Sequence, residues 1–152
     1  MTYDLQLERL IDAPPEIVFD AFVDPDAQRE LYDDPTDPNW SVESDLDLRV
    51  GGTWTIAFGP AGVETYRETN TFTEVDRPHR LIFDSDLFMV DDGHTVRTRV
   101  TITLEERDGK TLLTLRQTGF ERREDRDGIE GGWPSIFDAL ERVVAARQTG
   151  GR

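Results

Sequence analysis

Few residues of this chain could do chemistry, and Glu68 stands first among them. It lies in an alternating stretch, with Tyr66, Glu68, Asn70 and Phe72 on one side and Thr65, Arg67, Thr69, Thr71 and Thr73 on the other. That is the period of a half-buried strand. If the first set faces inward, it mixes aromatic walls with polar groups. A carboxyl placed there needs a partner or a raised pKa, and could then orient a ligand or, together with Tyr66, act as an acid or base. The alternatives are the opposite register, or an ion pair with an arginine such as Arg116. Arg116 and Gln117 are neighbours on the last strand, so one of the two must face inward. An inward Arg116 would suit a carboxylate ligand, whereas an outward one is simply solvated.

The remaining candidates read as ordinary structure. His79 follows Pro78 in a turn and is expected to be solvated. Asp91, Asp92 and His94 meet at a hairpin, where they could in principle hold a cation, but adjacent acids there are the usual chemistry of turns. With only two histidines and no cysteine, a structural zinc site is not expected, and disulfides and cysteine nucleophiles are excluded. Ser135 has no GxSxG context. Gly51-Gly52 opens a strand rather than a helix, unlike a phosphate loop. No catalytic set, metal or cofactor is therefore expected.

The 152 residues carry a net charge of −15. That charge speaks against nucleic acid and anionic membrane as partners. The acid is spread along the chain, and Lys110 is the only lysine. Two readings stand: adaptation to salt, or an acidic face for a cationic partner or ligand. The length suits one domain, 1–150, able to bury roughly 70 % of its unfolded surface. No apolar run reaches the ~18 residues of a membrane span, and the opening MTYDLQLERLI lacks the basic and apolar regions of a signal peptide. No membrane insertion and a cytoplasmic location are the expectations.

The elements that must position Glu68 follow from periodicity. Tyr3 to Ile11 alternates as a first strand. Asp12-Ala13-Pro14-Pro15-Glu16 breaks it and starts a short helix, with Asp12 or Ala13 near the cap. Asp24-Pro25 ends that helix, and Asp26 to Tyr32 can form another. Asp33 to Asn39 is a loop. Strand signals then run from Trp40 to Phe120, with the long strand around Glu68 spanning Val63 to Val75. Val50-Gly51-Gly52, Gly59-Pro60-Ala61-Gly62, Asp76-Arg77-Pro78-His79, Asp91-Asp92-Gly93 and Asp108-Gly109 are the turns, the last a strong hairpin signal. Val96, Thr98, Val100, Ile102 and Leu104 give the clearest alternation, which implies an antiparallel sheet with one wet face. Glu121 to Glu130 reads as a charged connection with room for a helical turn before the final helix. Gly131 to Arg147 then forms a helix with Pro134 in its first turn and Gly150-Gly151 as its stop. Its stripe of Trp133, Ile136, Phe137, Leu140, Val143 and Val144 needs an apolar partner.

The fold class read from this order is α+β: a curved antiparallel sheet of about seven strands wrapped around a long C-terminal helix, with two short helices after strand one. The pattern resembles the helix-grip superfamily of START-like lipid-transfer and birch-pollen-allergen domains, often called SRPBCC. Within it the chain looks like the AHSA type, named for the activator of the ninety-kilodalton heat-shock chaperone's ATPase. The residues that carry the resemblance are LERLIDAPPEIVFDAFVDPD, the Asp47 to Trp54 block DLRVGGTW, EVDRPHRLIF, the paired strands RTRVTITLEERDGKTLLTLRQTGF, and Gly132-Trp133 followed by the Leu140 stripe.

The resemblance implies the fold and an internal cavity between sheet and helix. The expected function is therefore binding of a small apolar or amphipathic molecule in that cavity. Its walls are expected from Trp40, Trp54, Phe58, Tyr66, Phe72, Phe83, Trp133, Phe137 and Leu140, with Glu68 and Asn70 as polar groups. The alternatives are a cyclase, dehydratase or hydrolase using the same cavity, and a co-chaperone-like interaction module active in stress response. The eukaryotic activator has a separate chaperone-binding domain ahead of this one, whereas this sequence opens on the first strand. A chaperone partner is accordingly the third reading, and a homodimer is compatible with the family's soluble members.

Overall fold

The computed structural model describes residues 1–62, 66–90 and 93–150, except for the side chains of 149 and 150. The expected strand start at Val63 to Thr65, the Asp91-Asp92 part of the turn before His94, and the stop at Gly151 lie outside the described residues. The elements run β1 (Tyr3–Ile11), α1 (Pro15–Phe22), α2 (Pro25–Leu31), β2 (Trp40–Leu46), β3 (Thr53–Pro60), β4 (Tyr66–Asp76), β5 (Arg80–Met89), β6 (His94–Arg107), β7 (Lys110–Phe120) and α3 (Arg123–Gly150). The seven strands form one curved antiparallel sheet in the order β1-β7-β6-β5-β4-β3-β2. From β2 to β7 each strand pairs with the next in sequence, and β1 closes onto β7.

Local chemistry explains the turns. Asp108 and Gly109 form the two-residue link of the β6–β7 hairpin and both take positive φ, 53° and 84°, as the twist of a tight hairpin demands. Gly52 is required by contact: a Cβ there would lie 2.2 Å from the Asp47 carbonyl oxygen. That close approach lets the β2–β3 turn reach β4, where Gly51 N–H donates to the Phe72 carbonyl at 2.8 Å and Phe72 N–H returns to Gly52 at 3.0 Å.

The three helices lie on one face of the sheet, with α3 packed against α1, α2, β1 and β7. Trp133, Phe137, Leu140, Val143 and Val144 of α3 are buried, and Ile136 is half-buried. The core beneath them joins Trp54, Ile56, Phe72, Phe83, Leu113 and Leu115 from the strands to Val18, Phe19 and Phe22 of α1. A polar thread ties α2 to the sheet. The fully buried Gln28 donates to the Phe22 carbonyl at 3.0 Å and accepts from Ser44, whose hydroxyl accepts from Trp54 Nε1 at 3.2 Å.

The helix boundaries differ from expectation in two places. The last helix starts at Arg123, not Gly131, so Glu121 to Glu130 is mostly helix and Pro134 lies well inside it. Gly128 and many charges hide the apolar period there, while Glu124 and Asp125 in the first turn suit the positive end of the helix dipole. Pro134 removes one hydrogen-bond donor, and the helix continues past it. The first short helix is capped by Pro14, without a side-chain bond, rather than by Asp12 or Ala13. The second spans Pro25–Leu31, one residue earlier than the expected Asp26 to Tyr32, and Asp24 is its cap, the carboxylate accepting from Asp26 N–H at 2.9 Å.

Candidate functional site

The inner face of the sheet carries a polar row among its apolar residues. Asn70 of β4 pairs with Ser85 of β5, and Ser85 with Thr98 of β6. All three are buried, as is Gln117 on β7. Gln117 Nε2 donates to Thr98 Oγ1 at 2.9 Å, and its Oε1 accepts from Trp133 Nε1 at 2.9 Å. The row thus bonds the sheet floor to α3 and fixes the Trp133 ring, which stacks on Phe137 with centroids 5.8 Å apart.

Above this row lies a cavity of about 390 Å³ between β2–β7, the end of α2 and the N-terminal half of α3. Its aromatic wall is Tyr32, Trp40, Phe58 and Tyr66, with ring centroids 5.3 Å apart for Tyr32–Phe58, 6.5 Å for Trp40–Phe58 and 5.5 Å for Phe58–Tyr66. Trp40 is held by its Nε1, which donates to the Tyr32 carbonyl at 2.9 Å. Leu31, Leu87, Met89, Val96, Ile129 and Ile136 complete the apolar lining. The helix side is low because Gly128 and Gly132, one turn apart, replace side chains, and a Cβ at either would meet nothing within 4 Å. The exposed Asp33, Glu124 and Ser135 mark its open side.

Glu68 is the one carboxyl on the inner wall. It is half-buried and lines the cavity. Its hydrogen bond comes from the Ser85 hydroxyl at a long 3.4 Å. Burial pushes its pKa above the usual glutamate value, while the Asn70 amide and the Ser85 hydroxyl pull it back. The Asn70 amide lies near enough to favour the charged form, yet both its nitrogen and its oxygen are buried without hydrogen-bond geometry to any group. Across the cavity wall, burial raises the Tyr32 phenol well above its ordinary value, and the Glu68 charge raises it further. Tyr32 is therefore a neutral hydroxyl, able to donate.

Of the residues expected to line a cavity, Trp40, Phe58, Tyr66, Glu68 and Trp133 meet around this one. Trp54, Asn70, Phe72, Phe83, Phe137 and Leu140 are fully or almost fully buried in the closed core instead. The reason is packing: Trp54 stacks on Phe72 at 6.5 Å and meets Phe83 edge-on at 5.4 Å, which leaves no space. Glu68 has no ion pair with Arg116, which is exposed and 3.8 Å from Asp4, while Gln117 is the inward member of that pair. Tyr32 lies within electrostatic reach of Glu68, and Tyr66 lines the same cavity. Sequence reasoning missed Tyr32, Ser85 and Thr98 as site residues. The last two carried a signal, being polar positions on otherwise apolar strand faces. Tyr32 did not, because it follows a short helix whose inward side only packing defines.

The histidines take different places. His79 is exposed in the β4–β5 turn. His94 Nε2 lies 3.0 Å from Asp125 Oδ2, which ties the start of β6 to the first turn of α3 beside the cavity mouth. Among the described residues no group of three or more His, Cys, Asp or Glu side chains could hold a metal.

The family profile described as activator of Hsp90 ATPase homolog 1-like protein matches residues 12–145. The chain belongs to this family. Solved structures share the fold. Protein CV1439 from Chromobacterium violaceum is 24% identical, with 93% of this chain and 96% of that one covered and a TM-score of 0.79. The AHSA1-like protein from Aeromonas hydrophila is 26% identical, with 96% and 94% covered and a TM-score of 0.74. Mll3558 from Rhizobium loti is 24% identical over 93% and 96%, with a TM-score of 0.78. No match was found among curated proteins. The activator-homologue fold thus accounts for the helix-grip expectation, and no described helix is long and apolar enough to cross a membrane.

Proposed function

We propose that this protein binds a small apolar or amphipathic molecule between its sheet and the N-terminal half of α3. The observation that carries this reading is the cavity of about 390 Å³, within the roughly 300–1,000 Å³ of ordinary small-molecule sites. Aromatic and aliphatic side chains make most of its wall, and a few polar groups converge at its floor. Gly128 and Gly132 add support. Glycine inside a helix costs about 1 kcal/mol relative to alanine, and here it leaves room that a side chain would take.

The test is native mass spectrometry of freshly purified protein, with a denaturing run to release any bound molecule, followed by a thermal-shift panel of apolar ligands. A co-purified small molecule, or a saturable rise in melting temperature that Gly132→Leu abolishes, is the expected result. Neither a bound species nor any ligand-dependent shift would overturn the reading.

A second reading, an enzyme in the same cavity, is favoured by one observation: Glu68, with its raised pKa, sits within electrostatic reach of the neutral Tyr32 hydroxyl. A carboxyl and a phenol in that arrangement suit proton transfer to a bound carbonyl or hydroxyl compound. A co-chaperone role would call for an exposed apolar patch. Among the described residues the exposed large apolar side chains are Met1 ahead of β1, Leu10 on it, and Leu48 and Val50 in the β2–β3 turn.

A further inference from the structure

We infer that the cavity selects a cationic ligand, an apolar molecule bearing an amine, with its charge held between Glu68 and the aromatic wall. This deepens the binding reading above and rests on it. Four lining residues are ionisable as acids, Asp33, Glu68, Glu124 and Asp125, and among the described residues that line the cavity none is Lys, Arg or His. The mouth acids are partly compensated: His94 is 3.0 Å from Asp125, and Arg122 is 3.6 Å from Glu124 and 3.9 Å from Asp125. Glu68 is not. Among the described residues its neighbours are neutral, the Ser85 hydroxyl at a long 3.4 Å and the Asn70 amide, and no cation pairs with it.

The surroundings of Glu68 suit a cation in three ways. The rings of Tyr32, Trp40, Phe58 and Tyr66 adjoin in one aromatic cluster that lines the cavity, and aromatic rings attract ammonium groups within about 6 Å. The carboxylate is desolvated, so its attraction for an opposite charge is stronger than at the surface. A net charge of −15 draws cations toward the protein and repels anions. An anionic ligand such as a fatty acid would meet the Glu68 charge with no basic lining group to receive it. Binding an amine ties two features together: it supplies the partner that the half-buried carboxyl lacks, and it fits the aromatic wall. The ligand's apolar body would then lie along Leu87, Met89, Val96, Ile129 and Ile136.

The experiment is titration calorimetry of the purified full chain at neutral pH with three probes that share one apolar body: 1-naphthylmethylamine, 1-naphthalenemethanol and 1-naphthoate. The amine is expected to bind at least about tenfold more tightly than the alcohol, and the carboxylate most weakly. In Glu68→Gln the amine should lose that advantage, falling to within about threefold of the alcohol measured on the same variant. Alcohol or carboxylate binding as tightly as the amine would overturn the charge inference and leave the cavity reading intact. If none of the three binds wild-type protein, both readings fall. If Glu68→Gln retains the full amine preference, Glu68 is not the counter-ion and the inference falls with it.

Discussion

Two ends of the same sheet face are built from similar residues and do opposite things. At the closed end, Trp54, Phe72 and Phe83 lie in contact with one another and with Phe22. Phe137 and Leu140 of α3 are as deeply buried. At the open end, Phe58 and Tyr66 continue the inward faces of β3 and β4, but the helix above them offers Gly128 and Gly132 in place of large side chains. The residue types on the strands barely change along β4, from Tyr66 to Phe72. What changes is the partner. A cavity arises where the helix withholds volume, and a core where it supplies it.

Truncation should separate the ends most sharply. Trp54→Ala or Phe83→Ala removes a fully packed ring and should destabilise by about 3–5 kcal/mol. Phe58→Ala, at a half-buried ring beside existing space, should cost about 1–2 kcal/mol. Urea denaturation of each variant measures this, and equal losses at both ends would break the comparison.

Filling the open end is the converse. Gly132→Ala, in helical backbone with open space at its Cβ, should stabilise by about 0.5–1 kcal/mol. Gly132→Leu should likewise keep the fold while removing ligand-dependent thermal shifts. A Gly132→Ala variant less stable than wild type would mean that the space is not real.

Glu68 sharpens the contrast through pH. Burial raises its pKa, so the folded state holds the proton more tightly than the unfolded chain. The cost of charging it is absent below the ordinary glutamate pKa and appears in full once the pH passes the raised folded value. Glu68→Gln should therefore stabilise the ligand-free protein at neutral pH, by on the order of 1 kcal/mol. The gain should vanish as pH falls below the ordinary carboxylate range. A gain that stays constant with pH would show that charge is not its source.

The smallest effect belongs outside both regions. Arg77 donates to both oxygens of Asp20, at 2.7 and 2.8 Å, with both side chains about half exposed. That hydrogen bond lowers the Asp20 pKa, so its contribution is present above the unfolded value and lost as pH falls through the lowered one. Solvent screening keeps it small, and Asp20→Asn should cost no more than about 1 kcal/mol, less at high salt. A melting curve in low and high salt checks this.

Strand succession and hairpins were legible because alternation is local. Val96 to Leu104 declares its buried side within a few residues, Asp108-Gly109 states its own turn, and Tyr66 to Phe72 shows two faces without saying which one is buried. The start of α3 was not legible. Arg123 to Gly132 has too many charges and glycines to show an apolar period, and its helical state depends on continuity with the buried Trp133–Val144 stripe and on the His94–Asp125 contact. The choice of cavity residues was half legible for the same reason: a shared strand face could be read, but whether α3 fills the space opposite it could not.

By itself the sequence determined that Glu68 shares one strand face with Tyr66, Asn70 and Phe72, that a bent antiparallel sheet must cover an amphipathic helix, and that disulfide and thiolate chemistry are excluded. Each of these follows from residue type and short-range period. Only the tertiary structure decided that Trp54, Phe72 and Phe83 close one end, that Tyr32 reaches the same space as Glu68, and that Gly128 and Gly132 leave the other end open. Those outcomes depend on volumes contributed by segments far apart in the chain, and no local pattern records how such volumes add.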